Sequence, residues 1–543
     1  MKTKIRIVAM ILAVCMIGLS LTSCMDLFFI LLKGGYGSVD FDADWKEFTL
    51  TEEEVDCFYE QLESCERLIL ENAGTRKIEN ALEELLVQFY HINTQAQIAY
   101  FLYSMNERDG HRSEDYLFAS EASTDAYAAY MKMCRTVYAS DCDYRDTFFA
   151  TWDESDLKRM ETYTDQIAKL ERENNEIVVA YRDLSDKELE SEIYGLFSEL
   201  IQNNNRIAEL CGYESYPAYA YENEFLRDYS PEKAKDFYDL VKEEILPLYT
   251  LYSDRFDQGV EKLSQSKLQQ VRAFLYDDYD SGNVENPVLN YALSTETGLS
   301  EVVENFFTKN VSVFVDDTNA TEGAFTAFLY DYGFPVCFFG PGYQSCMTVA
   351  HELGHFYSML CNWQVSSMID LAEVHSQANE LLFLEYMRDQ MDEKAYTVLV
   401  DYTMYSIMYQ IILFCIIDEF EQIAYAEEPK TADEMQACME RVCGEYGLQA
   451  EDEIWVTAMD YWKRVVIETP MYYISYAVSA VASLGIYAAA LEDFDAGVEI
   501  YCTLVEEVDI EAGFCAALTE AGLGTPFEKK TYEKLRSAFG EKS

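Results

Sequence analysis

Cationic side chains are scarce in this sequence: Lys and Arg total 40 against 98 Asp and Glu, a formal net charge of −58. Affinity for nucleic acid rests largely on cations that neutralise phosphates, so a nucleic-acid function is excluded. Proline is scarce too, at nine of 543 residues, while half of the chain is hydrophobic. That composition builds a large packed core and leaves little room for disorder. No CxxC pair occurs, so the fifteen cysteines supply no cysteine-built zinc site. Cys337, Cys415 and Cys515 sit in apolar runs and read as small core residues. No internal repeat of fixed period is present.

The N-terminus reads as a targeting segment. Lys2, Lys4 and Arg6 precede an apolar run from Ile7 to Leu21, which closes on Leu21-Thr22-Ser23-Cys24. A short basic region, an apolar stretch of this length and a small-residue site describe an export signal over 1–23. The closing residues resemble the lipobox of bacterial lipoproteins, which makes Cys24 the lipidation site. The bulk of the chain is then expected outside the cytoplasm, anchored by lipid at a bacterial cell membrane. The LFFILL run at 27–32 suggests instead an uncleaved anchor, but Asp26 interrupts the longer apolar run from Ile7 to Leu32. Residues 24–45, including the glycine-rich Lys33 to Asp40, read as a flexible tether.

From about Thr51 the pattern is helical. Leu62, Leu68, Ile69, Leu82, Leu85 and Leu86 recur at three- and four-residue steps among polar residues. Strand signals are few: Val311 to Val315 and Phe334 to Phe339, the second running into Gly340-Pro341-Gly342. The expected fold is mainly α, with a small sheet beside one helix. An N-terminal helical lobe over 46–210 and a second domain over 211–543 are expected.

That helix carries His351-Glu352-Leu353-Gly354-His355. Histidines four apart on a helix project from one face and can bind one zinc, with Glu352 beside it to take a proton from water. Zinc makes hydroxide available near neutral pH. Two histidines leave the site incomplete, since catalytic zinc takes three protein ligands. The extended metzincin pattern is absent, because Ser358 and Cys361 occupy its later positions. The following helix offers Glu373 and Glu380, seven apart and on one face. Glu373 lies nearer the connecting loop and is preferred as the third ligand. Glu380 reads either as a partner hydrogen-bonded to a ligand histidine or as a surface carboxylate. His375, about 200° round the helix from Glu373, reads as a pocket residue.

HELGH followed by AEVHSQANELL resembles the M3 metallopeptidases, the thimet oligopeptidase and oligoendopeptidase F group. Glu373, Ser376 and Glu380 match the family's E-x-x-S-x-x-x-E motif, with Glu373 in the ligand position. Tyr216 to Tyr221, Arg227 to Glu232 and Pro470 to Ala477 resemble further family segments, in the same order along the chain. The resemblance implies a two-lobed helical zincin-type fold around a deep channel, with one zinc per chain bound by His351, His355 and Glu373. It implies that Tyr476, with Tyr473, stabilises the oxyanion, and that Tyr472 contacts substrate; a packed aromatic stripe is the plainer reading of these tyrosines. It also implies that the Phe334–Phe339 strand pairs with an extended peptide, which Gly340 and Gly342 let approach closely. A histidine usual before the tyrosine segment is absent from Arg464 to Ile467. The function expected is zinc-dependent endopeptidase action on short oligopeptides by a monomer. The alternative is a peptide-binding lipoprotein of the same fold with weakened catalysis.

Overall fold

The computed structural model describes residues 39–540, apart from 151, 153, 183 and 277–284. The export signal, Cys24 and most of the tether lie outside the described residues. Helices start where the sequence supplies caps. Thr51 with Glu54 and Ser185 with Glu188 form capping boxes, and Ser230 accepts from the Lys233 amide with Pro231 in the first turn.

The tether ends earlier than its composition suggests. Trp45 is fully buried, edge-on to Phe101 at 4.8 Å, and its indole N–H donates to the Asn310 carbonyl at 2.6 Å. Phe41 lies against Phe334 and Phe356. Two buried aromatic anchors outweigh the polar residues between them.

Helix α1 (Thr75–Met105) is buried continuously from Ile92 to Phe101. It lies over a three-stranded sheet of β1 (Ser312–Phe314), β2 (Ala324–Leu329) and β3 (Phe334–Phe339), meeting it through Tyr100 on Phe325 and Phe101 on Phe338. The order is β1-β3-β2: β1 runs parallel to β3, with Val313 opposite Phe338, and β2 runs antiparallel, with Thr326 opposite Cys337. All six residues of β3 are buried, as a central strand covered on both faces requires.

Against the sheet's other face runs α2 (Cys346–Cys361), which carries HELGH, followed by α3 (Ile369–Tyr386). Helices α4 (Glu393–Glu427) and α5 (Ile474–Glu492) complete the interior, with α6 (Phe494–Glu506) packed on α3 and α5. By length and composition α4 and α5 could cross a membrane, yet most of each apolar stretch is buried inside the fold, as in core helices. One hydrophobic core runs from Phe41 to Phe539. Hydrogen bonds cross the division expected at residue 210, from Tyr181 Oη to the Arg464 carbonyl at 3.0 Å and from Asn204 Nδ2 to Tyr425 Oη at 2.9 Å.

Candidate metal centre

The start of α2 is fixed by Ser345, whose hydroxyl accepts from the Thr348 amide at 3.3 Å. One turn into the helix, His351 and His355 present their rings on a common face, with centroids 4.9 Å apart. Helix α3 reaches that face because residue 354 is glycine. A Cβ there would stand 2.6 Å from the His375 carbonyl oxygen and 2.8 Å from Ser376 Cα, closer than any side chain tolerates. Register is set by Asn379, whose Nδ2 donates to the Ala350 carbonyl at 2.6 Å while Tyr291 Oη donates to its Oδ1 at 2.7 Å.

This approach puts Glu373 Oε2 3.6 Å from His351 Nε2 and 3.9 Å from His355 Nε2. One ligand atom from each of the three residues falls within 4.8 Å of the others. Glu380 Oε1 lies 2.5 Å from His351 Nδ1, so the carboxylate turns the ring's Nε2 toward Glu373. Ser376 Oγ donates to Glu373 Oε2 at 3.2 Å, which gives the serine of the motif its task.

The electrostatics call for a cation. Burial acts to lower the His351 pKa, but the hydrogen bond and charge of Glu380, with Glu373 and Glu352, overcome it and hold the imidazole at about 9. Burial, His351 and His375 together keep His355 well below its ordinary value, hence neutral with a lone pair to give. Burial raises Glu352 to about 7, against the pull of His351 and the Thr326 hydroxyl, and raises Glu373 as well. Two imidazoles and a carboxylate at this spacing, one imidazole oriented from behind, are a donor set that zinc accepts at about 2.0–2.2 Å per bond. The residues fit a metal.

The cluster forms the floor of a cavity of about 780 Å³. Glu352 faces it with its carboxylate pinned by Thr326 Oγ1 at 2.7 Å. On one side stand Ala324, Phe325 and Thr326 of β2; on the other stand α4 and a group of tyrosines. Tyr472, Tyr473 and Tyr476 all line the cavity, but their settings differ. Tyr472 Oη donates to Glu373 Oε1 at 3.4 Å, so it touches the ligand carboxylate. Tyr473 is almost wholly buried against Phe414 and Tyr461, whereas Tyr476 is only partly buried.

Three expectations are corrected. Strand β3 has no edge to offer a peptide, because β1 and β2 flank it; the edge strand facing the cavity is β2. Gly340 and Gly342 do not line the cavity. A Cβ on Gly340 would stand 2.0 Å from the Thr321 carbonyl oxygen, so it serves the chain's own turn, and Gly342 takes a left-handed φ of 76°. His375 is not a pocket residue. It is buried on the face of α3 turned away from Glu373, where burial pushes its pKa down to about 3.

Other residues of the cavity carry weaker signals in the sequence. β2 was detectable as an aromatic run between Gly323 and Gly333, but Tyr405, Tyr409, Glu453 and Tyr461 carry no local signal. Arg227 opens one of the segments that resemble the family, and it joins two parts of the site. Its fully buried guanidinium donates to the carbonyls of Met471 and Tyr472 at 2.9 and 3.3 Å and to Ser475 Oγ at 2.9 Å, and its Nε lies 3.5 Å from Asp370 of α3.

The mainly helical fold with its small three-stranded sheet is shared with solved structures of peptidases. The structure is similar to that of PZ peptidase A solved with an inhibitor, with a TM-score of 0.75 and 14% identity, covering 92% of this chain and 98% of that one. It is similar also to oligoendopeptidase F from Enterococcus faecium, at a TM-score of 0.57 and 14% identity over 90% and 97% of the two chains. The M32 carboxypeptidase from Deinococcus radiodurans R1 aligns at a TM-score of 0.54 and 12% identity, over 85% and 99%. No family model and no curated protein matches the sequence.

Proposed function

We propose that the protein is a zinc-dependent endopeptidase that hydrolyses short oligopeptides outside the cytoplasm, held at the membrane by lipid on Cys24. The observation that carries this reading is the convergence of His351, His355 and Glu373 within 4.8 Å on the floor of a cavity that also presents Glu352. Zinc held by these three residues would polarise the scissile carbonyl and acidify a water. Glu352 then does the proton work. Fixed by Thr326 and raised by burial toward neutral pH, its carboxyl is suited both to accept a proton from the attacking water and to pass it to the leaving amine.

Extended substrate lies along β2, whose outer edge can pair main chain to main chain. Tyr476, the more accessible of the two tyrosines assigned to the oxyanion, donates to it, and Tyr473 backs that ring at 6.0 Å between centroids. A cavity of about 780 Å³ would admit oligopeptides and exclude folded proteins.

The test is cleavage of a quenched fluorescent peptide alongside metal analysis. Stoichiometric zinc, chelator-sensitive turnover and loss of both in Glu373→Ala are expected. Binding of peptide without zinc-dependent cleavage would favour the peptide-binding lipoprotein instead. Palmitate labelling lost in Cys24→Ala checks the anchor.

A further inference from the structure

Four carboxylates line the cavity, those of Glu352, Glu373, Glu380 and Glu453, and no Lys or Arg does. The first three are engaged at the metal centre. Glu453, on the opposite wall, has no part in that chemistry. It begins the 453–465 helix, and Tyr405 Oη donates to its Oε2 at 2.8 Å. No Lys or Arg among the described residues pairs with it. Glu453 is itself exposed, and the tyrosine beside it belongs to a stack: Tyr405 lies on Tyr249 at 5.4 Å between centroids, and Tyr409 lies 6.2 Å from Tyr405 with its hydroxyl on Thr457. After burial, the charge of Glu453 is a common cause holding the Tyr249, Tyr405 and Tyr409 hydroxyls above their ordinary range.

A carboxylate that accepts from a tyrosine hydroxyl, opens to a peptide-sized cavity and lacks a cation of its own has the chemistry of an ammonium or guanidinium site. An anionic group there meets like charge and no compensating donor beyond hydroxyls. We propose that the Glu453 wall is a cation subsite. The oligopeptides taken by this protein then carry a Lys or Arg side chain, or a free N-terminal ammonium, where they pass that wall. The proposal rests on the peptidase reading for its substrate class. The net charge of −58 works in the same direction, by drawing cationic peptides toward the cleft.

The experiment uses the full chain loaded with zinc and carrying Glu352→Gln, so that peptides bind without turnover. Fluorescein-labelled peptides of one length bear a single Lys, norleucine or Glu, moved along the chain, each with a free or an acetylated N-terminus. At one or two positions Lys is expected to bind about tenfold more tightly than Glu. Adding Glu453→Gln brings that ratio to within about twofold, and Glu453→Lys inverts it. A preference that follows the free N-terminus rather than the Lys position identifies the terminal ammonium as the cation. A role confined to stabilising the helix start would change the melting temperature and leave the Lys-to-Glu ratio alone. Equal binding of Lys and Glu peptides, no binding of any, or a ratio that survives Glu453→Gln overturns the proposal. Cleavage by the unmutated protein separates the two readings. Preferential binding without zinc-dependent cleavage removes the peptidase and keeps the subsite; cleavage blind to charge does the reverse.

Discussion

The floor of the cavity and its tyrosine wall are built on different principles. On the floor, polar atoms are tied to neighbours: Glu380 to His351, Ser376 to Glu373, Thr326 to Glu352, Asn379 to the backbone of α2. Positions there are fixed by hydrogen bonds and by one glycine contact, so little can shift. Along the wall, Tyr405, Tyr409, Tyr461, Tyr473 and Tyr476 stand mostly ring against ring, held by contacts that tolerate repacking. The floor is suited to bond-making and the wall to accommodating varied side chains. A substitution should therefore be costly and specific on the floor, and graded on the wall.

The largest expected effect comes from the floor. Glu352→Gln should keep zinc and reduce kcat by about 10²–10⁴-fold, measured by peptide cleavage beside metal analysis; substantial residual turnover would remove Glu352 from its role. Next, Tyr476→Phe should lower kcat by about 10²–10³-fold, while Tyr473→Phe changes it less than about tenfold because its ring remains in place. Equal losses from the two would break the distinction between an exposed donor and a packed ring.

Glu380→Gln should weaken zinc binding by about 10–100-fold, read by competition with a chelator. The same variant has a pH signature in the metal-free protein. A histidine raised to about 9 on folding contributes stability in full below its ordinary 6.5 and loses it as pH climbs through 9. The melting temperature of the metal-free protein should consequently fall across that window, and Glu380→Gln should flatten the fall. Smallest in activity, Gly354→Ala should cost about 1–3 kcal/mol in stability and loosen zinc in proportion, since it drives α3 away from α2; thermal melting with and without zinc measures both.

The same contrast explains what could be read from the sequence. His351, Glu352 and His355 sit within five residues on one helix, so their geometry follows from helical pitch. Glu373 and Glu380 lie on the next helix, where the first comes within 4.8 Å of the two histidines and the second meets His351 Nδ1, a choice the spacing left open for Glu380. The wall draws on residues from Tyr405 to Tyr476, far apart in sequence and indistinguishable there from other members of a set of 42 tyrosines. The glycines after β3 misled because a glycine forced by the protein's own backbone looks in sequence like one kept open for a ligand. The sheet order, which moved the exposed edge from β3 to β2, depends on a strand that was not detected.

Arg227 gives these two regions a mechanical relation. Its guanidinium holds the backbone ahead of α5 on one side and faces Asp370 of α3 on the other, with no solvent to replace either partner. Prising the channel apart would strand a buried positive charge, so the two sides can yield only together. Arg227 thus makes one end of the cavity resist separation, while the tyrosine rings elsewhere are held mostly by packing.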